Sequence, residues 1–150
     1  MSTSAMERTS TGLEYLKRIV AGDIPGVPIG ETLGFRVIEV ERGRIVLAGN
    51  PDKRSYNLIG SVHGGWAASI IDSALALSTL SSLDEKSGFT TLDIKINYLR
   101  PITVETGEVR AEGRVIHAGR RVALCEARLT DREGKLLAHG TGTCLILAKD

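Results

Sequence analysis

One stretch of the sequence constrains the fold more than any other: NLIGSVHGGWAASIIDSALALSTLSSL, which runs from Asn57 to Leu83. Between Arg54 and Asp84, Asp72 is the only residue with a formal charge. The other residues are mostly Ala, Leu, Ile, Ser and Gly, a composition typical of a helix that a protein buries. Because a buried carboxylate costs free energy unless it is paired or used, Asp72 is a candidate functional residue.

The stretch predicts a helix from about Gly64 to about Leu83 with one narrow face of small or polar side chains. That face is formed by residues at i, i+3, i+4, i+7 and i+10: Ser69, Asp72, Ser73, Ala76 and Thr79. A solvated helix face normally carries Lys, Glu or Gln, and this one carries none. An ordinary solvent-facing stripe is therefore the weaker interpretation, and we expect another backbone to approach this face closely.

The other segments alternate between strand-like runs and short turns. FRVIEV and RIVLAG, separated by ERGR, predict a hairpin. After the helix and a break at Gly88, short connections predict four antiparallel strands: TLDIKINYL, GEVRAEGRVIH, RVALCEARLTD and KLLAHGTGTCLILA. Helical spacing predicts a short helix over residues 11–22, and DIPGVPIGE is typical of a loop. We expect residues 1–10 to be disordered.

These elements predict a single α+β domain over residues 1–150. One long apolar helix in an otherwise antiparallel β chain must lie against a face of the sheet. The expected architecture is the hotdog fold, a curved antiparallel sheet wrapped around a long central helix, here with a short N-terminal helix.

The composition argues against several classes of function. The net charge of +1 and the isoelectric point of about 7.8 give no basic surface for nucleic acid or a membrane. We find neither an apolar run long enough to span a membrane nor the pattern of a secretory signal. Cys125 and Cys144 lie in apolar runs without CxxC spacing, which is typical of buried, reduced thiols in a cytoplasmic protein.

Val62-His63-Gly64-Gly65 comes directly before the predicted central helix. The first N–H groups of a helix lack partners within it, and glycine lets a ligand approach the backbone, so a developing oxyanion could bind here. A plain glycine turn is the alternative. Gly64 and Asp72 would lie about 12 Å apart along the axis, too far to act on one carbonyl carbon. Two antiparallel copies of the helix would bring the two residues together.

Two motifs lie around the predicted helix: Asn57-x-x-Gly60-x-x-His63-Gly64-Gly65 with the later Asp72, and Thr91-x-x-x-x-x-Asn97-Tyr98-Leu99-Arg100-Pro101. Together they resemble the motifs of the PaaI-type hotdog acyl-CoA thioesterases. The resemblance covers roughly Glu31 to Leu147. It implies hydrolysis of the thioester between an acyl group and coenzyme A.

The resemblance also implies roles for the motif residues. Asp72 would be the catalytic carboxylate, acting as a general base or as a nucleophile. The backbone N–H of Gly64, or of Gly65, would bind the thioester oxyanion. Asn57 and His63 would hold the thioester carbonyl and the attacking water in place.

Further candidates lie outside the helix. By the same resemblance, Thr91 would orient the water from beside the catalytic carboxylate. Basic residues in two turns suit the phosphates of coenzyme A, with solvated turn charges an equal alternative: Arg100, His117, Arg120 and Arg121. Trp66 is expected in the core, with the dimer interface or the acyl pocket as alternatives, and a structural role is expected for His139.

We therefore expect a cytoplasmic acyl-CoA thioesterase that forms a homodimer or a dimer of dimers, without a metal, a cofactor, a nucleic acid or a membrane partner. A hotdog hydratase or dehydratase is one alternative, but an Asp-x-x-x-x-His pattern is absent. A non-catalytic acyl-CoA sensor is another, although no basic recognition helix accompanies the domain. Phenylacetyl, hydroxybenzoyl and medium-chain fatty acyl groups all stay open as substrates.

Overall fold

A computed structural model describes residues 9–148, and most of the segment expected to be disordered, residues 1–10, lies outside that range. Single 3-10 turns occur at Lys53–Ser55 and Val104–Thr106. The helices and strands within the described range are α1 (Gly12–Ala21), α2 (Pro28–Leu33), β1 (Phe35–Glu41), β2 (Arg44–Gly49), α3 (Gly64–Leu80), β3 (Ser87–Tyr98), β4 (Val109–Ala118), β5 (Val122–Thr130) and β6 (Leu136–Ala148).

The six strands form one antiparallel sheet in the order β1-β2-β4-β5-β6-β3. The central helix α3 lies on one face of this sheet and contacts β2, β3, β4, β5 and β6. The predicted α+β hotdog fold, with a long central helix and shorter accompanying helices, is confirmed.

Three local predictions were wrong. Gly88 does not break the chain but lies inside β3, opposite Leu147 of β6. The segment expected to be a loop contains α2, because Pro28 at its first position has the backbone angle that a helix requires. The short connections between consecutive strands favour pairing of β3 with β4, but these two strands do not pair. β3 pairs with β6 at the edge of the sheet, and residues 99–108 lead away from it to β4.

Glycines in the sheet let α3 lie close to the strands. At Gly113 of β4, a Cβ atom would collide with the backbone carbonyl of Ala74 in the helix. At Gly140 of β6, a Cβ atom would lie 2.6 Å from Cγ2 of Ile71. Ile71 and Ala74 are fully buried. The apolar side of α3 therefore fills the core, and its side with small residues faces outward.

The N-terminal helix α1 is closed at both ends by standard caps. Thr11 and Glu14 form a reciprocal capping box at the start, and Gly22 ends the helix with a φ of 81°. The Gly12 N–H donates to the carbonyl of Leu83, which ties the start of α1 to the end of the central-helix segment. None of the helices in residues 9–148 is both long and apolar enough to cross a membrane.

Candidate active site at the start of the central helix

His63 caps the start of α3. Its Nδ1 accepts a hydrogen bond of 2.8 Å from the Gly65 N–H. Because Nδ1 is an acceptor, the proton of the neutral ring is on Nε2, where it can be donated to another group. The Gly65 N–H is already used by this cap. Of the two expected oxyanion donors, the structure therefore leaves Gly64 available and not Gly65.

Gly64 has a free backbone N–H and a covered carbonyl group. Its N–H has no hydrogen-bond partner among the described residues. Its carbonyl accepts a hydrogen bond of 2.9 Å from the Tyr98 hydroxyl. The Tyr98 ring lies against the Gly64 Cα, so a Cβ atom there would be 3.1 Å from ring carbon Cζ. The sequence motif does not indicate a role for Tyr98, because the contact with Gly64 joins two elements that are distant along the chain.

Asn57 holds the loop that leads to the helix. Its Oδ1 accepts hydrogen bonds from the Ile59 N–H at 3.0 Å and from the Ser61 N–H at 3.2 Å. Its Nδ2 donates to the Ser61 hydroxyl at 3.1 Å. The Asn57 side chain lines a cavity of about 290 Å³ together with Gly64 and Tyr98. In a single chain, Asn57 therefore fixes the shape of the loop beside the free Gly64 N–H.

Asp72 and Thr91 meet between the helix and the edge strand. The Thr91 hydroxyl donates a hydrogen bond of 2.9 Å to Oδ1 of Asp72. Both residues are half-buried, and so are Ser69 and Ser73 on the same side of the helix. The carboxylate is therefore held in place while remaining accessible from outside the chain.

The structure does not bring Gly64 and Asp72 together within one chain. Both belong to the unbroken helix α3. With a rise of about 1.5 Å per residue, their backbones are about 12 Å apart along the axis. The reacting atoms of a catalysed step must approach to about 3 Å. One chain alone therefore cannot apply both groups to the same carbonyl.

A buried pair of thiols lies beside the Asp72–Thr91 contact. Cys144 is opposite Thr91 in the ladder between β3 and β6, and both cysteines are free and buried. The hydrogen bond with Cys125, together with burial, holds the pKa of Cys144 well above its usual range. Cys125 Sγ is 3.1 Å from the hydroxyl of Thr79. Thr79 is buried in this contact, so it belongs to the core and not to the half-buried face that carries Asp72.

The edge of the sheet next to Asp72 exposes large apolar side chains. On β3, Leu92 is 56% exposed and Ile94 is 39% exposed. In the loop before the helix, Leu58 and Ile59 are 106% and 88% exposed. A long edge strand with apolar side chains readily pairs with another chain. This surface is therefore a candidate contact with a second copy of the protein.

Comparison with known proteins identifies the family of this chain. The family model described as the thioesterase superfamily matches residues 59–138. The chain belongs to the thioesterase superfamily. The matched residues include Gly64, Asp72 and Thr91, and Asn57 lies just before them.

Individual relatives in the superfamily support the resemblance to PaaI-type proteins. A 1,4-dihydroxy-2-naphthoyl-CoA hydrolase of Listeria monocytogenes is 27% identical over 79% of this chain and 95% of its own. The phenylacetic acid degradation protein PaaI of Thermus thermophilus, solved as a point mutant, is 30% identical with a TM-score of 0.72, covering 79% and 98% of the two chains. A Streptococcus mutans protein solved bound to acetyl CoA is 25% identical with a TM-score of 0.70, covering 77% and 90%.

The four basic residues expected to bind coenzyme A lie at two ends of this thioesterase-superfamily fold. The Arg100 N–H donates to the carbonyl of Leu137 near the start of β6. The Arg121 carbonyl accepts from the Ile146 N–H near the end of β6. Nine residues of extended strand separate these points by about 30 Å. The other two lie at the Arg121 end: His117 and Arg120.

The remaining candidates, Trp66 and His139, make contacts within the fold. Trp66 is buried, and its indole N–H donates a hydrogen bond of 2.7 Å to the Leu33 carbonyl. His139 Nε2 is 3.3 Å from Oε2 of Glu126. Within residues 9–148, no group of three or more His, Cys, Asp or Glu residues is placed to hold a metal ion.

Proposed function

We propose that this protein hydrolyses acyl-CoA thioesters and that Asp72 is its catalytic carboxylate. The observation that carries the proposal is the hydrogen bond from Thr91 to Asp72 on a helix whose first residue, Gly64, has a free N–H. A carboxylate that accepts one hydrogen bond keeps further lone pairs to accept a proton or to attack carbon. Membership of the thioesterase superfamily supports the same chemistry.

Two routes give the same overall reaction. As a general base, Asp72 takes a proton from water while the water oxygen bonds to the thioester carbon. The Gly64 N–H stabilises the oxyanion, the C–S bond breaks, and the departing thiolate takes up the proton. As a nucleophile, a carboxylate oxygen of Asp72 attacks the thioester carbon, and the C–S bond breaks to release the coenzyme A thiolate and leave a mixed anhydride. Water then cleaves the anhydride, which releases the acid and restores the Asp72 carboxylate. Each route consumes one water and releases one carboxylic acid and one coenzyme A.

Neighbouring residues support this chemistry in distinct ways. The Thr91 hydroxyl donates a hydrogen bond to Asp72, so Thr91 orients the carboxylate and offers its own lone pairs to a water. The Nε2–H of His63 is available to the thioester or to the water. Asn57 fixes the loop that sets the position of Gly64.

We infer that the functional unit is a homodimer with shared active sites. The exposed edge of β3 supports antiparallel pairing of two β3 strands. If the two-fold axis passes through the Ile94–Lys95 peptide, Thr91 of one copy lies opposite Tyr98 of the other. Since Thr91 contacts Asp72 and Tyr98 covers Gly64, this register would join the carboxylate of one copy to the oxyanion donor of the other.

The same pairing offers a place for coenzyme A. It would bring the end of one sheet that carries Arg120 and Arg121 towards the Arg100 end of the other. We propose a dimer of dimers as the complete assembly, because β4 and β5 expose a further apolar patch of Ile116, Val122 and Leu124. The two free, buried thiols fit a reducing compartment, and we propose the cytoplasm.

The proposal is tested by measuring thiol release from a panel of aliphatic, phenylacetyl and hydroxybenzoyl CoA thioesters. We expect release from at least one of them, with no loss of rate after treatment with a chelator. Tight binding without thiol release would instead indicate an acyl-CoA sensor. A changed acyl group with the thioester intact would indicate a hydratase or dehydratase. Either of these results overturns the proposed hydrolysis.

A further inference from the structure

A cavity of about 950 Å³ lies between α1, α2 and β1, away from the Asp72–Thr91 contact. Its volume is within the range of small-molecule binding sites, about 300–1,000 Å³. Half-buried aliphatic side chains from all three elements and the loop between the helices line it: Ile19, Ile24, Val27, Leu33 and Ile38. Its interior is thus suited to an apolar ligand.

The walls of this cavity are anchored by specific contacts. The end of α2 is tied to the central helix by the hydrogen bond from Trp66 to the Leu33 carbonyl. The start of α2 packs against β1, because Gly30 leaves no space for a Cβ atom next to the Phe35 carbonyl. Gly34, with a φ of 77°, then turns the chain directly into β1. The cavity is therefore part of the packed fold.

The cavity adjoins a second one at the start of the central helix. The second has a volume of about 330 Å³, and its lining includes His63, Gly65 and Trp66. Leu33, Arg54 and Ser55 line both cavities. The two cavities therefore adjoin at these residues, beside the first turn of α3.

The charged side chains around the apolar cavity lie at its surface. Arg54 and Arg36 are exposed, with side-chain exposures of 85% and 61%, and each is paired with a carboxylate. Among residues 9–148, Phe35 is the one aromatic residue in the lining of this cavity, and it is buried. A cavity lined by half-buried aliphatic side chains, next to the space at the first turn of α3, suits a flexible aliphatic chain.

We propose that this cavity binds the distal part of an extended aliphatic acyl chain whose thioester carbonyl lies at the first turn of α3. The inference rests on the proposed hydrolysis of acyl-CoA and assigns its substrate class. Each additional methylene buried in such a cavity is expected to tighten binding about fourfold until the cavity is full.

The test uses free dodecanoate, below its micellar concentration, because its binding does not depend on catalysis. Trp66 is the only tryptophan in the chain and lines the second cavity, so its fluorescence reports on a ligand there. Dodecanoates brominated near the carboxylate, at mid-chain or near the methyl end quench an indole that they contact. We expect saturable quenching that is strongest for bromine near the carboxylate and weakest for bromine near the methyl end.

A second test of the cavity uses variants at Val20 and Gly26, which line it. A Cβ atom at Gly26 meets nothing within 4 Å, and Val20 is 41% exposed, so both positions accept a larger side chain. Gly26→Phe and Val20→Phe should each weaken dodecanoate binding at least tenfold. They should raise the KM for dodecanoyl-CoA while leaving butanoyl-CoA hydrolysis unchanged. Ile29→Phe, on the exposed side of α2 and outside the cavity lining, is the control. It should change the affinity for dodecanoate and the KM for dodecanoyl-CoA by no more than twofold.

The outcomes separate this inference from the proposed function. No saturable dodecanoate binding, or binding that is insensitive to both cavity variants, overturns the cavity assignment even if the protein hydrolyses shorter or aromatic acyl-CoAs. Position-dependent quenching that both variants abolish supports the cavity, even if no thiol is released and the proposed hydrolysis fails.

Discussion

Asp72 accepts a hydrogen bond from Thr91 and remains half-buried at the surface of one chain. Asp72→Asn keeps the size of the side chain and can still accept the hydrogen bond from Thr91. The amide cannot act as a general base or as a carboxylate nucleophile. We expect the kcat for thioester hydrolysis to fall about a hundredfold or more, with little change in melting temperature. Asp93→Asn is the matched control, because Asp93 is an exposed carboxylate on β3, the strand that carries Thr91. Full activity of Asp72→Asn would remove Asp72 from the mechanism.

Tyr98 is a positioning residue through its hydrogen bond to the Gly64 carbonyl. Tyr98→Phe keeps the ring over Gly64 and loses only the hydroxyl. We expect kcat to fall about threefold to tenfold with KM and melting temperature nearly unchanged. Tyr56→Phe is the control, because the Tyr56 hydroxyl accepts a hydrogen bond from the Val104 N–H away from the helix. That variant should lose stability and keep its kcat. An unchanged kcat for Tyr98→Phe, together with a lowered kcat for Tyr56→Phe, would rule out a positioning role for Tyr98.

Some of the candidate site is visible in the sequence for a physical reason. Asp72 stands out because its neighbours carry no charge, and Gly64 because a helix start leaves N–H groups free. The use of the Gly65 N–H by His63 depends on one side-chain rotamer, which the residue pattern does not specify. The contact between Tyr98 and Gly64 joins residues that are distant along the chain. Such details arise only when the elements pack together.

At the scale of elements, the fit of α3 against the sheet depends on glycines. Gly113→Ala would place a Cβ atom against the Ala74 carbonyl, and both backbones belong to regular elements that cannot move freely. We expect the free energy of unfolding to fall by about 1–3 kcal/mol, as for other overpacked cores. At Gly26 a Cβ atom meets nothing within 4 Å, so Gly26→Ala should leave the free energy of unfolding unchanged or raise it slightly. Equal stability of the two variants in urea denaturation would contradict this account of the packing.

Periodicity predicts the strands and the central helix well, because burial of one face imposes it. It does not show which strand ends the sheet. The alternating pattern of β3 is compatible with a position beside β4, whereas the structure places β3 beyond β6. The short helix α2 escapes prediction because its Pro28 and Gly30 are typical of loops, and tertiary contacts to Phe35 stabilise it.

At the scale of the whole molecule, the exposed edge of β3 implies a partner. Leu92→Asp places a charge on this edge without disturbing the core, since Leu92 is 56% exposed. We expect the variant to stay folded, to lose dimerisation in sedimentation measurements and to lose most of its activity. Ile29→Asp, 48% exposed on α2, should remain dimeric and active. A Leu92→Asp variant that is dimeric and fully active would exclude this edge as the interface.

In the proposed dimer, each active site takes Gly64 from one copy and Asp72 from the other, because about 12 Å of helix separates them within a chain. The most direct measurement combines Asp72→Ala with Gly64→Val, two variants that should each be nearly inactive. In a mixed dimer, one site would carry both lesions and the other would be intact. Refolding the two variants together in equal amounts should yield about half mixed dimers and about a quarter of wild-type activity, by random pairing across a symmetric interface. If mass spectrometry confirms mixed dimers and the activity stays at the level of the separate variants, the site lies within one chain and the proposed sharing is contradicted.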